Sequence, residues 1–299
     1  MIVTRLWGGL GNQLFQYAFA YALAQRNGTQ LCLDTRYYCS GTKNSPEHAT
    51  TPRIFDLKIS ERSTAVPIII DKHVEILKNK YINRIIRIPT KSIINIKGYK
   101  YIKESRFKYQ SWLRDLDMTS AYLDGYWQCE NYFVSYREAL CEQFVPKKTS
   151  KSHDTLLEEI TRNNSVAMHI RRGDYVNNKN IFSNLYLLES KYYINAIKKI
   201  YENIKDPSFY IFTNDTNWVR NNLNEWGINA IIVSEDCNLS DIEEFSLMSN
   251  CKHQVISNST FSWWAAWLNN NDNKIIIAPE RWFGNRDIIP DAWTKIPIE

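Results

Sequence analysis

The sequence predicts an α/β protein with two halves, each built on a parallel sheet. Two stretches of the chain alternate short apolar strands with helices of about 10–15 residues, the arrangement that βαβ units require. Several strands are continuous apolar runs, such as "SVAMHI" at 165–170, which is typical of parallel strands buried on both faces. A polar segment containing Pro146 separates the stretches near 145–155. We therefore predict one domain over 1–150, a second over 151–299, and a cleft between them.

Each element follows from its apolar pattern and flanking residues. In the first half we predict a strand at 2–6, a glycine-rich turn, a helix over about 12–27 and a strand at 30–34. Residues 35–60 hold glycine and prolines among polar residues, which predicts a long loop or an irregular insertion. In the second half we predict strands at 165–170, 208–213, 228–233, 253–257 and 274–279, and helices at 190–204, 239–250 and 261–270.

Composition excludes several classes of protein. Of the 299 residues, 44% are hydrophobic and 23% are charged, so the chain is not disordered. No apolar run reaches the ~20 residues of a membrane span, and the N-terminus lacks the layout of a cleaved signal peptide. We therefore expect a cytoplasmic protein whose six cysteines stay reduced. The cysteines lack zinc-binding spacing, so no metal is expected.

A strongly basic segment occupies residues 72–110. It holds eleven lysines and arginines against two glutamates, Glu75 and Glu104, with isoleucines interleaved. One interpretation is the solvated face of ordinary elements. The other is docking on the anionic inner face of the cytoplasmic membrane, near a lipid-linked acceptor. The net charge of +5 is too small to indicate nucleic-acid binding, and no recognised binding motif accompanies it.

The first candidate site is "GGLGNQLFQYA" at 8–18. A strand, a glycine turn and a helix N-terminus present backbone N–H groups to a ligand, which favours phosphate or a close approach. Asn12 and Gln13 add side-chain donors. The pattern is similar to a dinucleotide fingerprint with Asp34 placed to bind a ribose, but Leu14 stands where the third glycine belongs. A tight turn without a ligand is the alternative.

The second candidate site is "HIRRGDYV" at 169–176, where a buried strand ends and α/β folds place their ligands. Alternation along an extended strand puts His169 and Arg171 on one face and Arg172 on the other. Arginine matches phosphate oxygens in a bidentate manner, so we predict that Arg171 contacts an anion. For Arg172 we predict an ion pair with Asp174.

The third candidate site is "SNSTFSWWAAWL" at 257–268. Four hydroxyl side chains open an aromatic helix there, whereas an N-cap needs only one, so hydroxyls and helix N–H groups together predict an anion site. The three tryptophans recur at helical spacing and are predicted to lie in the core. Upstream, Asp215 and Asp241 would either cap helices or face the site, where Asp241 could accept hydrogen bonds from a base such as guanine.

Together with "APERWF" at 278–283, the three segments resemble the bacterial α-1,2-fucosyltransferases of glycosyltransferase family 11. The motifs follow the family's order and span essentially the whole chain. The resemblance implies two Rossmann-like domains facing a cleft, the glycosyltransferase B type, with the acceptor on 1–150 and the donor on 151–299. It implies transfer of L-fucose from GDP-β-L-fucose to the 2-hydroxyl of a terminal galactose in a surface polysaccharide or O-antigen. The reaction would invert the anomeric centre and need no metal or other cofactor.

The resemblance also implies roles for individual residues. Arg171 would contact the β-phosphate of the donor and stabilise the charge on the departing GDP. Asp174 is the nearest carboxylate in the motif and would act as the base or brace the arginines. The other implied donor-binding residues are His169 and Asp241 at the guanine, Ser257, Asn258, Ser259 and Thr260 at the diphosphate, and Gly9, Gly11, Asn12 and Gln13 between donor and acceptor.

Two other functions stay open. A nicotinamide oxidoreductase would use the glycine turn and Asp34, although Leu14 and the paired arginines disfavour it. A non-catalytic glycan-binding module would account for the 13% of aromatic residues, but it has no use for a site of arginine and hydroxyls. Protection by NAD without protection by GDP would favour the first, and sugar binding without GDP binding would favour the second.

Overall fold

The computed structural model describes residues 1–39, 51–59, 93–96, 99–104, 108–172, 187–282 and 287–298, with only the backbone for 39 and 93–96. The chain divides into two compact units, Met1–Phe144 and Val145–Glu299. Each unit has its own sheet. No helix in the described part of the chain is both long and apolar enough to cross a bilayer. Asp174 and most of the basic segment 72–110 lie outside the described residues.

The first unit contains a five-stranded sheet. Its strands are β1 (Ile2–Arg5), β2 (Leu31–Asp34), β3 (Ile93–Ile96), β4 (Tyr99–Lys103) and β5 (Ala121–Asp124), in the spatial order β2-β1-β5-β4-β3. Neighbours are parallel except β3 and β4, which are antiparallel. The predictions of β1 and β2 are confirmed. The apolar pattern does not reveal the other three strands, because they are short and two of them lie within the basic segment.

Helix α1 (Leu10–Arg26) fills the middle of the first unit. Fourteen of its 17 residues are buried, as expected for a helix covered on every side. It starts two residues before the predicted position because Gly9 is its N-cap, and the Gly9 carbonyl accepts hydrogen bonds from the backbone N–H groups of Asn12 and Gln13. Further helices of this unit are α2 (Arg36–Cys39), α3 (Ser111–Arg114) and α4 (Arg137–Gln143), with 3-10 turns at Arg53–Asp56, Glu130–Tyr132 and Val134–Tyr136.

The second unit contains a six-stranded parallel sheet. Its strands are β6 (Ser165–Ile170), β7 (Ser208–Thr213), β8 (Ala230–Ile232), β9 (His253–Val255), β10 (Ile276–Pro279) and β11 (Thr294–Ile296), in the order β11-β10-β9-β6-β7-β8. The five predicted strands are confirmed, and β6 and β7 match to the residue. Strand β8 ends earlier than predicted because Val233 begins a short helix.

The helices of the second unit follow local chemistry. They are α5 (Lys151–Arg162), α6 (Ser190–Tyr201), α7 (Thr216–Trp226), α8 (Val233–Asp236), α9 (Asp241–Asn250) and α10 (Thr260–Leu268). The predicted helices at 190–204, 239–250 and 261–270 are confirmed as α6, α9 and α10. Helix α7 ends at Gly227, whose φ of +64° places it in the left-handed region that glycine adopts at low cost.

The topology of each sheet defines one switch point, where the connections leave in opposite directions. In the second sheet, β7 lies on one side of β6 and β9 lies on the other, so the switch point is between β6 and β9. In the first sheet, β2 and β5 flank β1, and the switch point is between β1 and β5. Ligands of open α/β sheets bind outside the carboxyl ends of the strands at such points. The fold therefore singles out the residues after these four strands.

Candidate functional site

The carboxyl ends of β6 and β9 bring two predicted motifs together. The Nδ1 atom of His169 lies 2.7 Å from the Oγ atom of Ser257, within hydrogen-bond distance. The two residues are only 8% and 2% exposed. Because Met168 pairs with Val255 in the sheet register, the segments that follow the two strands are held side by side. The second and third candidate sites are therefore one site at the switch point of the second sheet.

Strand β6 sorts its side chains between two layers, as predicted. Met168 and Ile170 enter the hydrophobic core that contains Tyr192 of α6. His169 faces the other layer, where its ring centroid lies 5.9 Å from that of Phe261. Arg171 directly follows the strand and is half-buried, and continued alternation puts it on the face of His169.

Arg172 is a structural residue on the opposite face. Its guanidinium Nη1 donates to the Leu188 carbonyl at 2.9 Å and to a Glu189 carboxylate oxygen at 3.0 Å. Its guanidinium carbon lies 4.2 Å from the ring centroid of Trp218, a cation–π distance. The predicted partner Asp174 lies outside the described residues; the described carboxylates that pair with Arg172 are Glu189 and, at 4.0 Å from its Nε atom, Asp215.

Most hydroxyls of the third candidate site form hydrogen bonds within the protein. Ser259 is the N-cap of α10 and accepts a hydrogen bond from the Phe261 N–H. Ser262 donates to the carbonyls of Ser257 and Ser259, at 3.4 and 3.2 Å. Besides the N-cap Ser259, Ser257 and Ser262 therefore also have hydrogen-bond partners within the protein. Thr260 is half-buried at the first helical position, beside the N–H groups with which α10 begins.

Two predicted carboxylates lie at helix N-termini. Asp215 caps α7, because its Oδ1 accepts a hydrogen bond from the Trp218 N–H at 3.1 Å. Asp241 is not the N-cap of α9, because Ser240 is the N-cap and forms a capping box with Glu243. Asp241 is the first residue of that helix, one turn before Phe245, whose ring packs 5.3 Å from Phe261. Phe261 in turn contacts His169, so α9 packs beside the site.

The tryptophans of α10 lie in the core, as predicted. Trp263 and Trp264 are 0% exposed and Trp267 is 4% exposed. The Trp263 indole N–H donates to the carbonyl of Ile288 at 2.7 Å, which satisfies the polar atom of a buried aromatic residue. These rings anchor the helix whose N-terminus forms part of the site.

The glycine turn of the first unit has a conformational requirement at Gly8. Its φ of +79° lies in the left-handed region, and a Cβ atom there would approach the Asn12 Nδ2 atom to 2.8 Å. Gly9 differs, because its φ is −72° and a Cβ atom there would meet nothing within 4 Å. Gly11 is buried inside α1. Among these three glycines, Gly9 therefore offers open space.

The amides that follow the turn hold its shape. Gln13 is 1% exposed, and its Nε2 donates to the Gly8 carbonyl and the Tyr38 hydroxyl, while its Oε1 accepts from the Ile54 N–H. The sequence suggested that Gln13 presents donors to a ligand, but its amide is occupied by these contacts within the protein. The Asn12 Oδ1 accepts a hydrogen bond from Gln128 at 3.0 Å and is half-buried.

The switch point of the first sheet carries carboxylates that the sequence analysis did not select. Asp124, at the end of β5, accepts hydrogen bonds from Arg5 at 3.2 Å and from the Tyr101 hydroxyl at 2.7 Å. Trp7 and Tyr126, which follow the two strands, are stacked with ring centroids 4.1 Å apart. Only the pairing of distant strands brings these residues together. Their signal in the sequence is weak, because the glycine motif after β1 does not include Arg5 or Trp7, and no recognisable motif follows β5.

Asp34 is part of this cluster, and its environment disfavours a ribose-binding role. The residue is 1% exposed, and Arg36 donates to both carboxylate oxygens, at 2.7 and 2.6 Å. The Tyr122 hydroxyl also donates to it. Burial by itself raises the pKa of Asp34, but the hydrogen bonds from Arg36 and Tyr122 outweigh burial and lower it. This carboxylate stabilises the sheet edge.

Residues 1–288 match the family model described as Glycosyl transferase family 11. The match covers both switch points and all three predicted motifs. The chain belongs to glycosyltransferase family 11.

Two relatives of this family 11 glycosyltransferase illustrate its likeness to known enzymes. It is 33% identical to the alpha-1,2-colitosyltransferase of Escherichia coli, over 99% of both chains. It is 23% identical to galactoside alpha-(1,2)-fucosyltransferase 2 of Hylobates lar, over 89% of this chain and 68% of that protein. Among solved structures, a variant of FUT1 of Arabidopsis thaliana in complex with GDP matches with a TM-score of 0.51. That match has 12% identity and covers 94% of this chain and 70% of the other. It shows a common fold.

The described part of the glycosyltransferase contains no group of three or more His, Cys, Asp or Glu residues that could hold a metal ion. Its cysteines Cys32, Cys129, Cys141, Cys237 and Cys251 form no disulfide.

Proposed function

We propose that this glycosyltransferase transfers L-fucose from GDP-β-L-fucose to the 2-hydroxyl of a terminal galactose, with inversion at the anomeric carbon. The observation that carries the proposal is the His169–Ser257 contact. It joins the arginine motif to the N-terminus of α10 at the switch point, where an α/β fold binds its ligand. The two units would correspond to a glycosyltransferase B type fold, with the donor on the second unit and the acceptor on the first.

Arg171 has the central role in the proposed mechanism. As the bond between the fucose C1 atom and the β-phosphate oxygen breaks, its electron pair stays on GDP, which gains negative charge. The Arg171 guanidinium and the N–H groups of α10 would stabilise that charge, and such preorganised groups are worth about 3–4 kcal/mol each in the transition state. His169 and Asp241 would contact the guanine, and Asn258, Ser259 and Thr260 the diphosphate. No step requires a metal ion.

The donor sugar has a second candidate. The 33% identical E. coli relative is named a colitosyltransferase, and colitose is the 3-deoxy form of fucose. The two donors would share the nucleotide, the diphosphate and the leaving-group chemistry, so the site described here suits both. Parallel assays with GDP-fucose and GDP-colitose decide between them, and the preferred donor is the one with the higher kcat/KM.

The acceptor would be a galactose-terminated glycan of the surface polysaccharide or O-antigen type. If that glycan is linked to a lipid, the basic segment 72–110 would bind the anionic membrane surface that carries it. Peripheral contact with the inner face of the cytoplasmic membrane stays a prediction, because most of that segment lies outside the described residues. Co-sedimentation with anionic vesicles at low salt, lost at high salt, would support the contact. No co-sedimentation at low salt would exclude it.

Transfer assays with an Arg171 variant test the proposal. We expect Arg171→Ala to lower kcat/KM for GDP-fucose about 10²–10³-fold, because the charge on the leaving GDP loses its guanidinium. Arg162→Ala is the matched control, since Arg162 is an exposed residue of α5 that pairs with Glu158. EDTA should leave the rate unchanged. Full activity of Arg171→Ala would overturn the site assignment, and strict dependence on a metal would contradict the mechanism.

The two other functions make different predictions. An oxidoreductase would be protected against heat by NAD and not by GDP, and the occupied carboxylate of Asp34 argues against it. A glycan-binding module would bind galactosides without binding GDP. We expect thermal protection by GDP, because the second switch point is built for an anion.

A further inference from the structure

Glu104 holds an unusual turn at the switch point of the first sheet. It follows β4, and its backbone N–H donates to the Asp124 carbonyl at 3.0 Å, so it lies beside the end of β5. Its Oε2 accepts a hydrogen bond from the Tyr126 N–H at 2.7 Å, and its Oε1 accepts from the Trp127 N–H at 3.2 Å. One carboxylate thus ties β4 to the turn that follows β5.

The turn is strained and closely packed. Trp127 has a φ of +59° and is fully buried, a conformation that costs a bulky residue free energy and persists only where the surroundings impose it. A Cβ atom on Gly125 would approach the Glu104 Cβ atom to 2.4 Å, so only glycine fits there. The position of the Glu104 carboxylate is therefore fixed from several sides. Strained backbone of this kind concentrates at functional sites.

Glu104 differs from the other two carboxylates of this edge. Asp34 and Asp124 each accept hydrogen bonds from an arginine and a tyrosine hydroxyl. Among the described residues, no lysine or arginine forms an ion pair with Glu104. Its carboxylate is half-buried, and each oxygen accepts one backbone N–H, which leaves a further acceptor position on each.

The electrostatics suit proton transfer at neutral pH. Burial raises the pKa of Glu104 to about 7, although the hydrogen bonds from Tyr126 and Trp127 oppose the rise, and the negative charge of Asp124 adds to it. The titratable groups that face it are Asp124, Tyr126 and Tyr132, and burial raises the pKa of both tyrosine hydroxyls well above their usual range. Glu104 thus exchanges a proton near pH 7, where a general base is most effective.

We propose that the Glu104 carboxylate is the base that accepts the proton of the acceptor hydroxyl. This inference rests on the proposed transfer reaction, in which the acceptor is bound by the first unit. As the acceptor oxygen bonds to the sugar C1 atom, the bond from C1 to the phosphate oxygen breaks, and GDP leaves with its electron pair. The hydroxyl proton passes to Glu104, which releases it to solvent after the products depart.

The test compares Glu104→Gln with the wild-type enzyme. We expect kcat to fall about 10²–10³-fold, with the dissociation constant for GDP unchanged. The wild-type kcat/KM should fall toward acid with an apparent pKa near 7, and Glu104→Gln should lose this acid limb. In Glu104→Ala, sodium formate should restore part of the rate, because a small carboxylate can replace the missing group. Glu142→Gln is the control, since Glu142 is an exposed carboxylate of the same unit.

Several outcomes would overturn the proposal. A rate for Glu104→Gln within threefold of wild type would exclude Glu104 as the base. A raised acceptor KM with the acid limb intact would assign it a positioning role only. If Glu104→Gln does not fold, the wild-type profile still decides, because the absence of an acid limb between pH 5.5 and 8 excludes a base with a pKa near 7. A wild-type enzyme that transfers no sugar from GDP-fucose or GDP-colitose overturns the proposed function itself, which is a distinguishable failure.

Discussion

The two switch points share a topology and differ in chemistry. At the second sheet, the strand ends carry His169, Arg171 and Ser257, next to the N-terminus of α10. At the first sheet, they carry Asp124 and Glu104, with aromatic rings at their side. The groups at the second sheet suit an anionic diphosphate, because guanidinium, hydroxyl and N–H groups all donate hydrogen bonds. The carboxylates at the first sheet accept hydrogen bonds, which sugar hydroxyls donate, so under the proposed function this edge would bind the acceptor.

After Arg171→Ala and Glu104→Gln, the largest expected effect that separates the two edges is in Ser257→Ala. The substitution removes the hydroxyl that contacts His169 inside the buried site, and a lost buried hydrogen bond costs about 1–2 kcal/mol. We expect a loss of stability of that size. Because Ser257 is also proposed to contact the diphosphate, we expect the dissociation constant for GDP, measured by calorimetry, to rise about tenfold. The acceptor KM should not change.

The same unit provides a matched control in Ser246→Ala. The Ser246 hydroxyl lies 3.1 Å from the His153 Nε2 atom in another buried histidine–serine pair, between α5 and α9. We expect a similar loss of stability and no change in GDP binding. Equal effects of both variants on GDP binding would mean that the His169–Ser257 pair has only a structural role.

A smaller effect distinguishes Gly8 from Gly9 in the first unit. Gly8→Ala should lower the free energy of unfolding by about 1–2 kcal/mol, because alanine is strained at a φ of +79° and its Cβ atom would crowd Asn12. Gly9→Ala should cost about 0.5 kcal/mol, as alanine is a poorer N-cap than glycine. Urea unfolding measures both. Equal losses would contradict the described geometry of the turn.

The smallest expected effect concerns Glu244 of α9, which accepts a hydrogen bond from Ser234 at 2.9 Å. Burial raises the pKa of Glu244 to about 7. The folded state therefore binds this proton more tightly than the unfolded state, and the stabilising contribution present below about pH 4.5 is lost as the pH rises through 7. We expect Glu244→Gln to raise Tm at pH 8 and to leave it unchanged at pH 5. A shift of the same size at both pH values would contradict the raised pKa.

Much of the second unit could be predicted from the sequence, because its strands are continuous apolar runs that few other structures accommodate. The strand at 165–170 and the switch-point position of Arg171 follow from that pattern and from alternation. The first unit was harder to predict. Strand β5 has only four residues, and the hydrogen bonds from Tyr126 and Trp127 to Glu104 span 22 and 23 positions of the chain. No local pattern encodes such a pairing.

Side-chain partners set a second limit on prediction. Gln13 has the same residue type whether it binds a ligand or braces a turn, and only its contacts with Gly8, Tyr38 and Ile54 decide the matter. The hydroxyls of Ser259 and Ser262 are a similar case. The Ser259 hydroxyl accepts a hydrogen bond from the Phe261 N–H, and the Ser262 hydroxyl donates one to the Ser259 carbonyl. Motifs therefore predicted a candidate site, while the contacts of each residue within it required coordinates.

Titration of GDP into the wild-type enzyme, Arg171→Ala and Glu104→Gln by calorimetry tests the central claim most directly. The account predicts that GDP binds the wild type and Glu104→Gln with the same affinity and binds Arg171→Ala at least tenfold more weakly. Equal affinity of all three proteins for GDP, or a loss confined to Glu104→Gln, would contradict the assignment of the nucleotide to the second switch point.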